Sequence, residues 1–169
     1  MDYQELVEEA TRQISSGVFL VSGQQANPMT IGWAQWGCIW GKPVLTVMVR
    51  HSRYSHSLLE DGRFTVSVPA PGGMKEELKV CGTKSGRDVD KKTLLSLKTV
   101  PAKKNGIPGI AGCAIHFECK TLLKTEVSME NLEPELYQRF YNGATQATPD
   151  GDPHTLYFGE ILAAYRETK

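Results

Sequence analysis

Apolar and polar positions along the chain change period several times, and each change marks an element. Tyr3, Val7, Ala10 and Ile14 recur at helical spacing, with Glu5, Glu8, Glu9 and Arg12 on the other side. This predicts an amphipathic helix capped by Asp2 and ended by Gly17. Val18, Phe19, Leu20 and Val21 then form a buried-strand run, followed by a polar turn from Gly23 to Pro28. Two longer runs, residues 29–40 and 44–50, are separated by Gly41, Lys42 and Pro43, a punctuation that predicts a hairpin. The second run is nearly all apolar up to Val49 and is expected to be covered on both faces. Residues 64–68 and 115–120 instead alternate, which turns Phe64, Val66 and Val68 one way and places His116 on a polar, surface-facing side. A last strand is expected over residues 154–165, with short helices over 55–60, 74–80, 90–97 and 134–141. Strands without β-α-β alternation predict one mainly β domain over residues 1–169, an antiparallel barrel or sandwich with short accessory helices.

Composition narrows the function. Lys+Arg and Asp+Glu are both 19, so the formal charge is zero. A general nucleic-acid or anionic-membrane surface needs a basic excess, so neither partner is expected, and any bound anion must be met by a local cluster. Cys38, Cys81, Cys113 and Cys119 are scattered without CxxC pairing. That argues against a disulfide framework or a cysteine zinc site and for thiols in a reducing cytosol; no metal is expected. The acidic start lacks the apolar core of a signal peptide, and no apolar run approaches a membrane span, so a cytoplasmic protein is expected.

Three stretches carry candidate chemistry. In Asn27-Pro28-Met29-Thr30-Ile31-Gly32-Trp33-Ala34, a glycine allows a planar ligand close to the main chain, a hydroxyl can bond a ring carbonyl, and an aromatic face lies beside them. In Val49-Arg50-His51-Ser52-Arg53-Tyr54-Ser55-His56, an apolar strand ends in arginines, hydroxyls and a helix start, the donors an anion needs. In Cys81-Gly82-Thr83-Lys84-Ser85-Gly86-Arg87-Asp88-Val89-Asp90-Lys91, glycines, hydroxyls and cations form a loop rich in anion donors, and Asp88 or Asp90 can cap the next helix. Each also reads as ordinary structure: a core strand, a basic turn, a capped helix entry.

Magnitudes bear on the ligand. Two or three charge-assisted hydrogen bonds contribute roughly 1.5–3 kcal/mol each, whereas micromolar affinity needs about 8 kcal/mol net. Phosphate contacts barely suffice, so a planar apolar body is the natural complement. Neither GxGxxG nor GxxxxGK[ST] occurs, so neither a Rossmann site nor a P-loop is supported, and a flavin mononucleotide is the expected cofactor.

These three motifs in this order, with His-Thr-Leu-Tyr-Phe-Gly-Glu-Ile at 154–161, resemble the flavin reductase-like, FMN-binding split-barrel family, and most closely its flavoredoxin branch. The resemblance implies a homodimeric split β-barrel of the antiparallel Greek-key type with FMN near the subunit interface. Thr30, Gly32 and Trp33 would lie along the isoalloxazine and ribityl chain, and Ile31 and Val49 also belong to the implied cofactor-binding set. Arg50, Ser52, Tyr54 and Ser55 would surround the phosphate, and Lys84, Ser85, Gly86 and Arg87 would close over the cofactor. Family members commonly have proline where His51 stands and threonine where Ser55 stands. The implied activity is an NAD(P)H-dependent flavin or ferric reductase, hydride passing from nicotinamide to flavin. The alternatives are an FMN electron carrier serving a protein partner, or a reductase component feeding a monooxygenase. His154 reads either as a plain strand-start residue or as one that reaches the flavin or the dimer contact; no redox role is assigned to Cys38 or Cys81.

Overall fold

The computed structural model describes residues 3–145, 148–149 and 151–167. Asp2, the expected N-cap, lies outside them. Helix α1 (Tyr3–Gln13) buries Leu6 and Ala10, and a 3-10 turn (Ile14–Ser16) leads to Gly17. Gly17 adopts φ +101°, a region closed to most side chains, which lets the chain leave the helix directly into strand β1 (Val18–Ser22). Strands β2 (Asn27–Ile31), β3 (Ala34–Ile39) and β4 (Lys42–Arg50) follow, then α2 (Tyr54–Leu58) and β5 (Arg63–Val68). Helices α3 (Lys75–Thr83) and α4 (Lys91–Leu95) precede two short strands, β6 (Thr99–Val100) and β7 (Gly109–Ile110). The chain continues with β8 (Ile115–Glu126), α5 (Pro134–Phe140) and β9 (His154–Arg166).

Seven strands form one antiparallel sheet in the order β2-β1-β5-β8-β9-β4-β3. Its two edges, β2 and β3, are consecutive in the chain and separated only by Gly32 and Trp33. Flat, seven strands at about 4.8 Å spacing would set those edges roughly 29 Å apart, while three residue steps reach at most about 10 Å. The sheet therefore has to roll up, and Gly32-Trp33 marks where the barrel comes together. The expected single run over residues 29–40 is thus two strands of opposite edges. The pairing of β8 with β9 shifts register between Glu118/Cys119 and between Thr121/Leu123, which bends this long hairpin around the barrel.

The barrel interior holds Leu20, Leu45, Val47, Phe64, Val66, Phe117 and Tyr157, closed by Leu6 and Ala10 of α1. Outside it, Phe19 and Val21 pack with Leu78, Cys81, Ile107 and Ile110, so β1 is covered on both faces. The alternating strands behave differently from expectation. In β5, Thr65 and Ser67 are as buried as Phe64 and Val66, because the 105–110 segment lies over them. Thr65 donates to the Ile107 carbonyl at 2.7 Å, and Ser67 Oγ accepts from the Ile110 N–H at 3.0 Å. His116 is not a surface residue: it is 0% exposed, with Nδ1 2.9 Å from Ser67 Oγ. Glu118, also fully buried, accepts backbone N–H groups from Lys103, Lys104 and Asn105 at 2.6–2.9 Å. Polar side chains here anchor a covering loop, so polarity does not mark exposure.

The helices fall close to their expected places, and Asp90 caps α4 by accepting from the Lys92 and Thr93 N–H groups. All four cysteines are free thiols, and only Cys38 is exposed. Among the described residues no helix is long and apolar enough to cross a membrane.

Candidate functional site

The β2-to-β3 break opens a cleft of about 310 Å³ between the closing edges and the ends of β4 and β9. It is lined by Met29, Thr30, Ile31, Gly32 and Trp33 from β2 and the break, and by Met48, Val49 and Arg50 of β4. Arg53, Phe140 and His154 complete it. Gly32 and Trp33 fall outside the registers of both β2 and β3, so their backbone groups are not committed to those ladders. The Trp33 ring, 42% exposed, meets Phe140 edge-on at 4.9 Å and His154 at 5.4 Å.

Two guanidinium groups face this cleft. Arg50 donates to the carbonyls of Asp152 (2.8 Å) and Phe140 (3.1 Å), and its charge lies over the Tyr141 ring. Arg53 donates to Met29 Sδ (3.2 Å) and to the carbonyls of Gly82 (2.9 Å) and Cys81 (3.3 Å). Among the described residues neither is in an ion pair with a carboxylate. A guanidinium has five N–H donors, so each keeps donors to spare. Burial holds the Arg53 pKa below its ordinary value, the mark of a positive charge that is under-compensated.

His154 sits at the join. Its Nδ1 is 2.7 Å from the Tyr141 hydroxyl, and burial, reinforced by the Arg50 charge, lowers its pKa to about 4. It is therefore neutral at pH 7. Thr30 directs its hydroxyl proton to the Leu78 carbonyl at 2.6 Å, pinning β2 to α3 instead of pointing a donor into the cleft.

The other expected site residues form a neighbouring cluster. Ser52 donates its backbone N–H and its hydroxyl to the Asp152 carboxylate. Buried Ser55 accepts from Asn27 Nδ2 at 3.1 Å, and Tyr54 carries Arg87 over its ring at 5.4 Å. Arg87 also donates to the Ser52 carbonyl at 3.0 Å, and Ser85 Oγ accepts from the Arg87 N–H. Gly86 packs so closely that a Cβ there would run into the Asn27 side chain and stand 2.7 Å from the Tyr54 ring. Tyr54 and Gly86 line a second opening of about 330 Å³, with Asn27 and Lys92. Lys84 is exposed. The three stretches are thus brought together, but only Thr30, Ile31, Gly32, Trp33, Val49 and Arg50 of the expected set line the cleft itself.

Arg53, Met29, Met48, Phe140 and His154 were not singled out as binding residues. Arg53 stood beside Arg50 in the basic turn, and that was its signal; Phe140 comes from a distant helix that no local pattern ties to the cleft. Lys91 was also missed. Buried, it donates to the Pro28 (2.7 Å) and Cys81 (3.3 Å) carbonyls and holds the third stretch against the first, its pKa lowered by burial to about 8. Burial raises the Cys81 thiol to about 11, which leaves it protonated and unreactive.

Comparison with known proteins agrees with this architecture. A solved flavoredoxin from Methanosarcina acetivorans is 26% identical, covers 89% of this chain and 68% of its own, and superposes with a TM-score of 0.67. An NADH:FAD oxidoreductase from Streptomyces globisporus shares the fold at 19% identity and TM-score 0.66, over 99% of this chain and 86% of its own. An uncharacterized protein of Archaeoglobus fulgidus is 34% identical over 145 residues, 85% of this chain and 67% of that protein. Residues 11–169 match the flavin reductase like domain, and the chain belongs to that family of split-barrel proteins.

Proposed function

We propose that this protein binds FMN in the cleft and acts as an NAD(P)H-dependent flavin oxidoreductase. The observation that carries this reading is the pair Arg50 and Arg53: two guanidinium groups held by carbonyls, with no carboxylate ion pair among the described residues, opening on one cleft with an aromatic and backbone wall. The donor set fits the cofactor. Arg50 and Arg53 would hold the phosphate, while the exposed main chain at Gly32-Trp33 and the apolar sides of Met48 and Val49 would receive a planar ring. Bound flavin supplies hydride and single-electron chemistry itself. The protein's part is to bind, to orient, and to keep His154 neutral beside the cleft, its Nδ1 tied to Tyr141. A homodimer and a cytoplasmic setting belong to the same proposal, supported by exposed Trp33, Leu123 and Leu162 and by four unpaired thiols.

The test is anaerobic mixing of FMN-loaded protein with NADH or NADPH. Rapid bleaching of the flavin absorbance is expected. The likeness to a flavoredoxin favours one second reading, an electron carrier for a protein partner. It takes over if neither nucleotide bleaches the flavin but a reduced redox protein does.

A further inference from the structure

We propose that His51, His56 and Glu126 form a binding site for one divalent transition-metal ion of the zinc and nickel kind. The site stands independently of the flavin reading. His51 follows β4, His56 lies in α2 and Glu126 ends β8, and their ligand atoms all lie within 4.8 Å of one another. Both imidazoles turn Nε2 toward the Thr155 hydroxyl, at 3.1 Å from His51 and 2.9 Å from His56. His51 Nε2 is also 2.5 Å from Glu126 Oε2, while Thr155 donates its single proton to Glu126 Oε1 at 2.7 Å. Two imidazole nitrogens and a carboxylate are the donor set of open zinc sites, where the fourth position is left to water. This is a different chemistry from the cysteine site that the scattered thiols argue against.

The geometry suits the ion. Ligand atoms around a tetrahedral metal stand roughly 3.3 Å apart, so a cluster spanning 4.8 Å has to contract. It can do so by side-chain rotation, because His51 and Glu126 are 42% and 57% exposed. The ring centroids of His51 and His56 are 4.7 Å apart, so two protonated rings would repel. Thr155, 1% exposed, sits behind the ligands as a hydrogen-bonding support.

The position matters to the cleft. Thr155 follows His154 in β9, and side chains alternate along a strand, so the cluster lies on the opposite side of β9 from the cleft residue His154. An ion there would tie the β4–α2 turn, with Arg53, and α2 to the end of β8.

Metal-stripped full-length protein titrated with Zn²⁺ in a calorimeter should bind one ion per chain and melt at a higher temperature afterwards. His56→Ala and Glu126→Gln should each weaken Zn²⁺ by at least about tenfold and abolish the rise in melting temperature. Glu126→Gln keeps the side-chain volume, so its circular dichroism should match the parent. Co²⁺ substituted for Zn²⁺ should give visible absorption bands that both substitutions remove. Absence of saturable binding overturns the proposal. So does binding that neither substitution weakens, or binding lost in Cys38→Ser, which would place the ion on the exposed thiol.

Discussion

Asp152 holds Ser52 by two hydrogen bonds, Oδ1 accepting its backbone N–H at 2.9 Å and Oδ2 its hydroxyl at 2.6 Å. The turn after β4 thus already grips an anion, one supplied by the chain itself from the segment before β9. Ser52 was expected to meet a phosphate, and the donors are real; an internal carboxylate occupies them. Removing that charge should favour an incoming phosphate. Asp152→Ala is expected to increase the preference for FMN over riboflavin about fivefold, equivalent to ~1 kcal/mol. Flavin fluorescence quenching measures both affinities, and a loss of FMN preference would show that Asp152 positions the site instead of competing for it.

Arg50 is held in the cleft by two carbonyls but keeps donors for a ligand. Arg50→Ala should weaken FMN by about 10- to 100-fold, the worth of one or two charge-assisted hydrogen bonds. Lys120→Ala, an exposed cation on β8, should leave affinity unchanged. Equal affinities for the two variants would remove the phosphate assignment.

Thr30 shows how a hydroxyl suited to a ligand can serve structure. Its proton goes to the Leu78 carbonyl, so Thr30→Val removes a link between β2 and α3 while keeping the shape. The expected cost is about 1 kcal/mol, a melting temperature lower by about 2–4 °C. FMN affinity should change less than about twofold, since the lost bond lies within the protein. A large loss of affinity with an unchanged melting temperature would place the hydroxyl on the cofactor.

Two buried histidines predict acid sensitivity. Burial lowers the His154 pKa from 6.5 to about 4, and lowers that of His116 in the same direction. The unfolded chain therefore binds protons that the native chain refuses. Their contribution to stability is complete above about pH 6.5 and declines as pH falls toward 4, with no further loss from His154 below that. Urea titrations across this window should show the decline, and His154→Asn, which can still pair with Tyr141, should reduce its slope. An unchanged slope would mean that other groups govern it.

Local periodicity was enough to locate most strands and helices, since which face a residue occupies depends on near neighbours. The family resemblance, not periodicity, put Thr30, Ile31, Gly32, Trp33, Val49 and Arg50 in one site, and they line one cleft because the β2-to-β3 break meets the end of β4. Periodicity misjudged His116, because alternation reveals polarity while a covering loop from residues 101–113 decides exposure. It joined β2 and β3 into one run, because nothing local distinguishes a strand from two edges of a closing barrel.

The sequence by itself determined the family motifs, the antiparallel β character and the presence of anion donors. The tertiary structure decided which donors remain available: Asp152, about 100 residues from Ser52, quenches one, while Arg53 and His154 join the cleft from separate elements. Charge compensation depends on distance in space, and distance in space is what rolling up the sheet creates.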